Sequence, residues 1–258
     1  MSGSGCRQII KIENLNKVYK SKTAEVHALD DISLAVGEEE FISIVGQSGC
    51  GKSTLANIVT GLVSKSSGRV LVNGKEVTGP SQNIGIVFQK PVLMPWRNTI
   101  ENILLPIEVL ELDRNVYMKK ADSLIELLGL KGFEHHHVNE LSGGMQQRVS
   151  ICRALIYDPP ILIMDEPFGA LDAFTREEMN TELLRIWQEK MKTILFITHS
   201  ITEAIYLSDR VVIMKPRPGK IIDVVNIELE RPRKIEMRSD PIFIKYEMDI
   251  KEKIFKRE

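Results

Sequence analysis

At 258 residues and 43% hydrophobic content, the chain has material for one large or two small domains and for a sizeable core. Its 34 basic and 35 acidic residues leave a net charge of -1, which excludes a chain-wide attraction to nucleic acid or anionic lipid and confines any polyanion site to a local patch. Cys6, Cys50 and Cys152 lack CxxC spacing, so neither a zinc site nor a disulfide framework is expected, and the usage fits a reducing cytosol.

In chain order, Ile9 to Val36 reads as strand, with apolar or β-branched residues alternating on either side of a polar KSKTAE turn. The leading MSGSG has a flexible composition, and MSGSGCRQ lacks the basic and apolar regions of a signal peptide. EFISIVG, Glu40 to Gly46, is a short apolar run ending in glycine, as expected of a strand buried on both faces. KSTLANIVTGL then has helical spacing and a helix-ending Gly61. GRVLVNGKEV predicts a hairpin around Asn73-Gly74, and NIGIVFQ a strand ending at Gln89.

Between Pro91 and Asp158 the character turns helical, with RNVYMKKADSLIELLGL the clearest amphipathic segment. ILIMDEP predicts a buried strand, LDAFTREEMNTELLRIWQEK a long helix, TILFITH a strand, SITEAIYLS a helix and RVVIMKP a strand; this alternation implies a mostly parallel sheet. Beyond Pro218 a strand pair, a Pro/Arg-rich turn (ERPRKIE) and a charged helix are expected. No apolar run approaches the roughly 18 residues that span a bilayer, so the chain is expected to stay where it is made.

The stretch Gly46 to Ser53, GQSGCGKS, satisfies GxxxxGK[ST] in the required setting, after a strand and opening a helix. Glycines let successive backbone N–H groups surround a β-phosphate, and the helix start adds partial positive charge. Lys52 supplies a point charge for the β and γ oxygens, and the Ser53 hydroxyl can ligate Mg²⁺. Cys50 fills a variable position of the motif. The acidic partner of such a site sits at the end of another buried strand, and ILIMDEP supplies it. Asp165 is placed to hold Mg²⁺ through water and Glu166 to polarise an attacking water. Alone, an Asp-Glu pair at a strand end is solvated turn chemistry; beside a phosphate loop it reads as the second half of a nucleotide site.

A second glycine pair, in LSGGMQQR (positions 141 to 148), caps a helix start and can also meet an anion. With GQSGCGKST, LSGGMQQR and ILIMDEP in this order, nearly the whole chain resembles the nucleotide-binding subunit of an ABC transporter. LSGG separates that family from the kinases, GTPases and helicases that share the phosphate loop. The family most often has Gln as the fifth residue, where this chain has Met145.

The resemblance implies an α/β P-loop NTPase (RecA-like) fold: a mostly parallel sheet core, an N-terminal antiparallel β subdomain and a helical insertion. The expected ranges are 6–90 and 159–218 for the two parts of the nucleotide-binding core, 91–158 for the helical subdomain and 219–258 for a short extension. It also implies ATP and Mg²⁺ as the bound groups. The ATP-contacting set is Tyr19, Gly46, Gln47, Ser48, Gly49, Cys50, Gly51, Lys52, Ser53 and Thr54, with Ser142, Gly143, Gly144 and Asp172 acting from a partner subunit. Tyr19 is expected to stack on adenine. The metal set is Ser53, Gln89 and Asp165. Glu166, His199 and Gln89 form the catalytic set, His199 contacting the γ-phosphate.

In one chain LSGG cannot easily cover a phosphate held by Gly46 to Thr54. The family solution is a head-to-tail homodimer that ATP closes and hydrolysis reopens. Without spans of its own, such a subunit docks on separate integral membrane permeases at the cytoplasmic face of the cell membrane; Met94, Pro95 and Trp96 offer an apolar contact. FQKPVLMPWRNTIENI and IYLSDRVVIMKPRPGKI are similar to importers of the nitrate, sulfonate, taurine and thiamine-precursor group, which take cargo from an extracytoplasmic binding protein. A soluble DNA-maintenance ATPase of the family would usually carry a long coiled coil before LSGG, absent from this sequence; a translation-factor type would carry the motifs twice. A non-hydrolysing, nucleotide-gated module is the remaining rival, opposed by Lys52, Glu166 and His199. The run HHH, 135 to 137, reads as surface loop, because adjacent residues do not converge on one ion as i, i+4 pairs do.

Overall fold

The computed structural model describes residues 7–21, 24–169 and 171–256. Cys6, the MSGSG lead, and Lys22 and Thr23 of the KSKTAE turn lie outside the described residues. The chain divides into two compact units, one formed by residues up to 81 together with those from 187 on, the other by residues 82–186.

In the first unit, strands β1 (Gln8–Lys20) and β2 (Glu25–Gly37) pair antiparallel over their whole length. β1 also pairs with β4 (Ser67–Val72), which turns through Asn73 and Gly74 into the two-residue β5 (Lys75–Glu76). Both turn residues have positive φ, 51° and 73°, the left-handed geometry that a tight hairpin demands and that Asn-Gly accepts.

The same unit holds β3 (Phe41–Gly46), β8 (Thr193–Ile197) and β9 (Arg210–Lys215) in parallel register, with β3 between the other two. Every residue of β3 and β8 is buried, which explains why their sequences do not alternate. Each such Ile, Val or Phe contributes about 1.5–3 kcal/mol of burial. Helix α1 (Lys52–Val59) follows β3, and α6 (Ile201–Leu207) follows β8. Phe41 meets Trp187 and Phe196 at ring-centroid distances of 6.0 Å, an aromatic cluster under the sheet.

Beyond Pro218 the expectation of a strand pair is corrected. Among the described residues one strand, β10 (Lys220–Asn226), lies there, and it runs antiparallel to β9. The backbone after β10 is claimed by arginines instead. Arg233, buried, donates to the carbonyls of Ile205, Tyr206, Ser208 and Ile227, and Arg231 lies over the Trp187 ring at 4.0 Å while pairing with Asp209 at 2.7 Å. The segment is thereby tied to the last carbonyls of α6, where cations satisfy both the dipole and the orphan acceptors. Burial lowers the Arg233 pKa to about 10. A short 3-10 turn (Ile235–Ser239) then leads to α7 (Pro241–Phe255), capped by Asp240.

The second unit pairs β6 (Ile84–Val87) with β7 (Ile161–Asp165) in parallel and carries the helices α2 (Thr99–Val109), α3 (Arg114–Leu127) and α4 (Gly143–Leu155) between them in sequence. Helix α5 (Ala173–Lys190) starts in this unit and runs on into the first. α2 opens on a capping box, Asn98 accepting from the Glu101 amide and Glu101 from the Asn98 amide. Among the described residues no helix is long and apolar enough to cross a membrane.

Candidate nucleotide site

The phosphate loop leaves the buried end of β3 and reaches α1 through two left-handed glycines, Gly49 (φ 77°) and Gly51 (φ 92°). Gly51 is the N-cap of α1, and among the described residues no side chain caps that end and no acid occupies its first turn. A helix start of this kind can meet an anion with its backbone amides and partial positive charge. Lys52, only 5% exposed, donates from Nζ to the carbonyls of Gly46 and Gln47 at 2.9 and 3.2 Å. The ammonium is thus already desolvated and held inside the loop by neutral acceptors, a state in which phosphate oxygens compete favourably. Gln47, Ser48, Gly49 and Ser53 are exposed and Thr54 half-buried, while Cys50 is buried, its thiol pKa pushed up by desolvation.

The loop is backed tightly. A Cβ on Gly46 would lie 2.3 Å from the Met214 carbonyl of β9. One on Gly219 would lie 2.3 Å from the Cys50 carbonyl and 2.6 Å from that of Ala28. Gly219 also bonds to β2 on both sides, donating to the Ala28 carbonyl at 3.2 Å and accepting from the Asp30 amide at 2.9 Å. The turn between β9 and β10 is therefore the back wall of the phosphate loop, a role that nothing in the motif set announces.

Tyr19, next to last in β1, is 42% exposed, with Lys17 Nζ 4.7 Å from its ring centroid. A partly exposed aromatic side chain is of a type that can accept a base. His199 follows β8 in an exposed turn that its neighbours fix: Thr198 donates to buried Glu203 at 2.6 Å, and Ser200 caps α6.

In the second unit, Gln89 lies two residues beyond β6, Asp165 ends β7 and Glu166 follows it. The structure brings Gln89 and Glu166 together, Nε2 donating to Oε2 at 3.0 Å. Glu166 has a φ of 46°, unusual for a residue with a side chain and typical of a site where direction matters more than backbone comfort. Ser142 is the N-cap of α4, its hydroxyl accepting from the Met145 amide at 3.3 Å, with Gly143 and Gly144 in the first turn. Nothing in the structure explains Met in place of the family's usual Gln at 145. Asp172 accepts from the amides of Phe174 and Thr175 at the start of α5; the side-chain hydrogen bond from Thr175 foremost, then these amide bonds, hold its carboxyl below the usual range. A Cβ on Gly144 would rest 3.4 Å from Leu171 and 3.6 Å from Thr175, so the α4 and α5 starts share one surface.

Three residues that sequence reasoning missed hold the Gln89 loop. Buried Gln147 donates to the Phe88 carbonyl at 3.2 Å. Arg153 donates to the carbonyls of Pro91 and Val92 at 2.8 and 2.9 Å, and Asn102 bonds Met94 through both its amide and its carbonyl. Gln147 belongs to LSGGMQQR, so the signature helix grips the backbone beside Gln89. The loop exposes Pro95 and, at 71%, Trp96, while Met94 is half-buried. In the HHH run, His136 packs against Phe133 with ring centroids 4.9 Å apart and the rings tilted by 50°, and the His137 amide donates to Glu140.

Each unit, taken by itself, offers groups of the kind a magnesium nucleotide uses. Ser53, Gln89 and Asp165 offer hydroxyl, amide and carboxylate oxygens, the hard ligands Mg²⁺ takes, and the phosphate loop offers backbone amides with a buried lysine. A parallel α/β core with a phosphate loop after its first parallel strand is the P-loop NTPase fold, and the signature helix narrows it further.

The chain belongs to the ABC transporter family, whose sequence model matches residues 29–169. It is an ATPase cassette homologous to importer ATP-binding subunits. An ABC transporter ATP-binding protein of Methanocaldococcus jannaschii is 50% identical over 87% of this chain and 84% of its own length. The aliphatic sulfonates import ATP-binding protein of Bacillus cereus is 43% identical (87% and 88% covered), and the taurine import ATP-binding protein of Burkholderia thailandensis is 41% identical (93% and 94%). Among solved structures, an ATP-binding cassette captured as a dimer in a post-hydrolysis state with ADP and phosphate superposes with a TM-score of 0.77 at 31% identity, covering 86% of this chain and all of that one. A part of an ABC transporter complex of Clostridium perfringens gives 0.75 at 28% identity over 96% and 95%.

Proposed function

We propose that this chain energises an importer of a small solute, with an organosulfonate the best-supported cargo, by hydrolysing MgATP in a head-to-tail homodimer on the cytoplasmic face of the membrane. The direct Gln89–Glu166 hydrogen bond carries this reading: a water-polarising carboxylate is tied to the loop whose tip exposes Trp96. A partner pressing on that tip can thereby alter the catalytic carboxylate.

In this reading Lys52, the loop amides and Ser53 hold the phosphates, Tyr19 stacks on the base, and Ser53, Gln89 and Asp165 hold Mg²⁺. When bound, the ion screens the β and γ oxygens. Glu166 polarises water, and His199 contacts the γ-phosphate. Ser142, Gly143, Gly144 and Asp172 act on the nucleotide of the other subunit. ATP closes the dimer because its γ-phosphate gains donors from both chains, and release of phosphate removes that differential affinity. The partners are integral permease subunits at the Pro95-Trp96 tip and, through them, an extracytoplasmic binding protein. The sulfonate and taurine import relatives support the cargo class, with nitrate and thiamine precursors the neighbouring possibilities within the resembled group. The test is ATPase activity of the chain reconstituted with its permease: stimulation by binding protein loaded with an alkanesulfonate supports the reading, and stimulation by nucleic acid with none by any loaded binding protein contradicts it.

A further inference from the structure

Outside the motif set, the phosphate loop has a neighbour in the C-terminal helix. The last turn of α7 leaves its final carbonyls without intrahelical donors, and Gln47, the second residue of the loop, donates its side-chain amide to one of them, the Ile254 carbonyl, at 3.4 Å. One residue earlier, Lys253 pairs with Asp223 of β10 at 2.5 Å. Asp223 sits at a register shift between Ile221 and Asp223 in the β9–β10 ladder, an irregularity of the kind that re-aims a side chain. Buried Phe243 and Ile250 fix the earlier turns of α7. The final turn instead borders a cleft of about 770 Å³ that Gln47, Lys215 and Ile222 also line. The Asp223–Lys253 pair and the Gln47 bond are polar contacts that hold the final turn there.

We propose that the C-terminal segment is a brace for the phosphate loop, in which Asp223 and Lys253 hold the end of α7 so that the Ile254 carbonyl steadies Gln47 and pre-organises the loop for nucleotide. Ordering a flexible loop on binding costs affinity, and a contact that orders it beforehand removes that cost. Gln47 also serves the helix, supplying a donor to an orphan carbonyl. The two ends of the contact stabilise each other, although they lie 207 residues apart in sequence. Asp223 and Lys253 are positioning residues: they touch no nucleotide. The inference rests on the proposed binding of ATP at this loop.

The test is a charge swap in the full chain. Asp223→Lys and Lys253→Asp are each measured for binding of a fluorescent ATP analogue with Mg²⁺ and for kcat and KM of ATP hydrolysis, as is the double variant. Each single change is expected to raise Kd and KM about two- to fivefold, the scale of an exposed ion pair read as an equilibrium constant, and to leave kcat unchanged. The double swap restores both. If a reversal does not fold, Asp223→Asn and Lys253→Gln serve in its place, with the same expected direction. Lys52→Ala, run in parallel, separates the two readings. Loss of binding in Lys52→Ala with wild-type Kd in the Asp223 and Lys253 variants, tighter binding in them, or no restoration in the double swap overturns the brace alone. Wild-type binding in Lys52→Ala overturns the nucleotide reading itself.

Discussion

Gln89 Nε2 donates to Glu166 Oε2 at 3.0 Å, joining side chains 77 positions apart. A carboxylate has several acceptor sites, and this bond uses one of them. Because Gln147 holds the Phe88 carbonyl and Arg153 those of Pro91 and Val92, the loop on the far side of the bond is fixed to α4. The Glu166 carboxylate, catalytic in the proposed function, is therefore aimed by three residues of two other elements.

Gln89→Glu tests that arrangement by charge. Two carboxylates at this separation cannot both ionise freely, so one is protonated and the base is weakened. We expect kcat to fall about 10²-fold, at the low end of what a general base contributes, with ATP affinity within about twofold of wild type. Steady-state hydrolysis beside equilibrium nucleotide binding measures both; unchanged kcat would contradict the role given to the pair.

Ser142 has separable structural and functional roles. Removing the cap in Ser142→Ala costs about 1 kcal/mol of helix stability, or about 2–4 °C in melting temperature for a chain of this size. Ser142→Arg is expected to abolish hydrolysis yet leave ATP binding by the single chain intact, because in the proposed dimer the signature acts on the partner's nucleotide. Lost binding in that variant would count against action in trans.

Behind the phosphate loop, Gly46→Ala and Gly219→Ala each force a methyl to within 2.3 Å of a backbone carbonyl that cannot simply rotate away. Both are expected to weaken nucleotide binding at least tenfold or to lower the melting temperature, Gly219→Ala although it lies outside every nucleotide motif. Gly79→Ala, where a Cβ meets nothing within 4 Å, is the control and behaves as wild type.

Asp172 caps α5 with a carboxyl held below its usual range by its bonds to Thr175 and Phe174. A depressed folded-state pKa means that its contribution is complete above the ordinary aspartate value and is lost as pH falls through the folded one. Asn caps helices as well as Asp does but does not titrate there. The melting-temperature advantage of wild type over Asp172→Asn is therefore expected to shrink on acidification below the ordinary aspartate range; a constant difference from neutral to acid pH would contradict the assignment.

Much of this was legible because the chemistry is local. The buried run ending at Gly46, the Asn73-Gly74 hairpin and the Ser142 cap each follow from a few consecutive residues. The illegible part depends on distant backbone carbonyls. Gln147, Arg153 and Asn102 act on main-chain atoms of the Gln89 loop, and carbonyls carry no residue signature. Gly219 is required by the closeness of Cys50 and Ala28, which no spacing reveals. The strand pair expected beyond Pro218 was lost to the same cause, since Arg231 and Arg233 spend their donors on α6 carbonyls. The left-handed backbone of Glu166 likewise has no counterpart in its sequence, where Asp-Glu-Pro reads as an ordinary strand end.

The central claim, that ATP closes two copies of this chain and that Glu166 reopens them by driving hydrolysis, is tested most directly by the size of the Glu166→Gln variant in solution with MgATP. The account predicts a stable dimer that forms with ATP and not with ADP, and turnover reduced at least a hundredfold. A monomer in ATP that hydrolyses at the wild-type rate would contradict it.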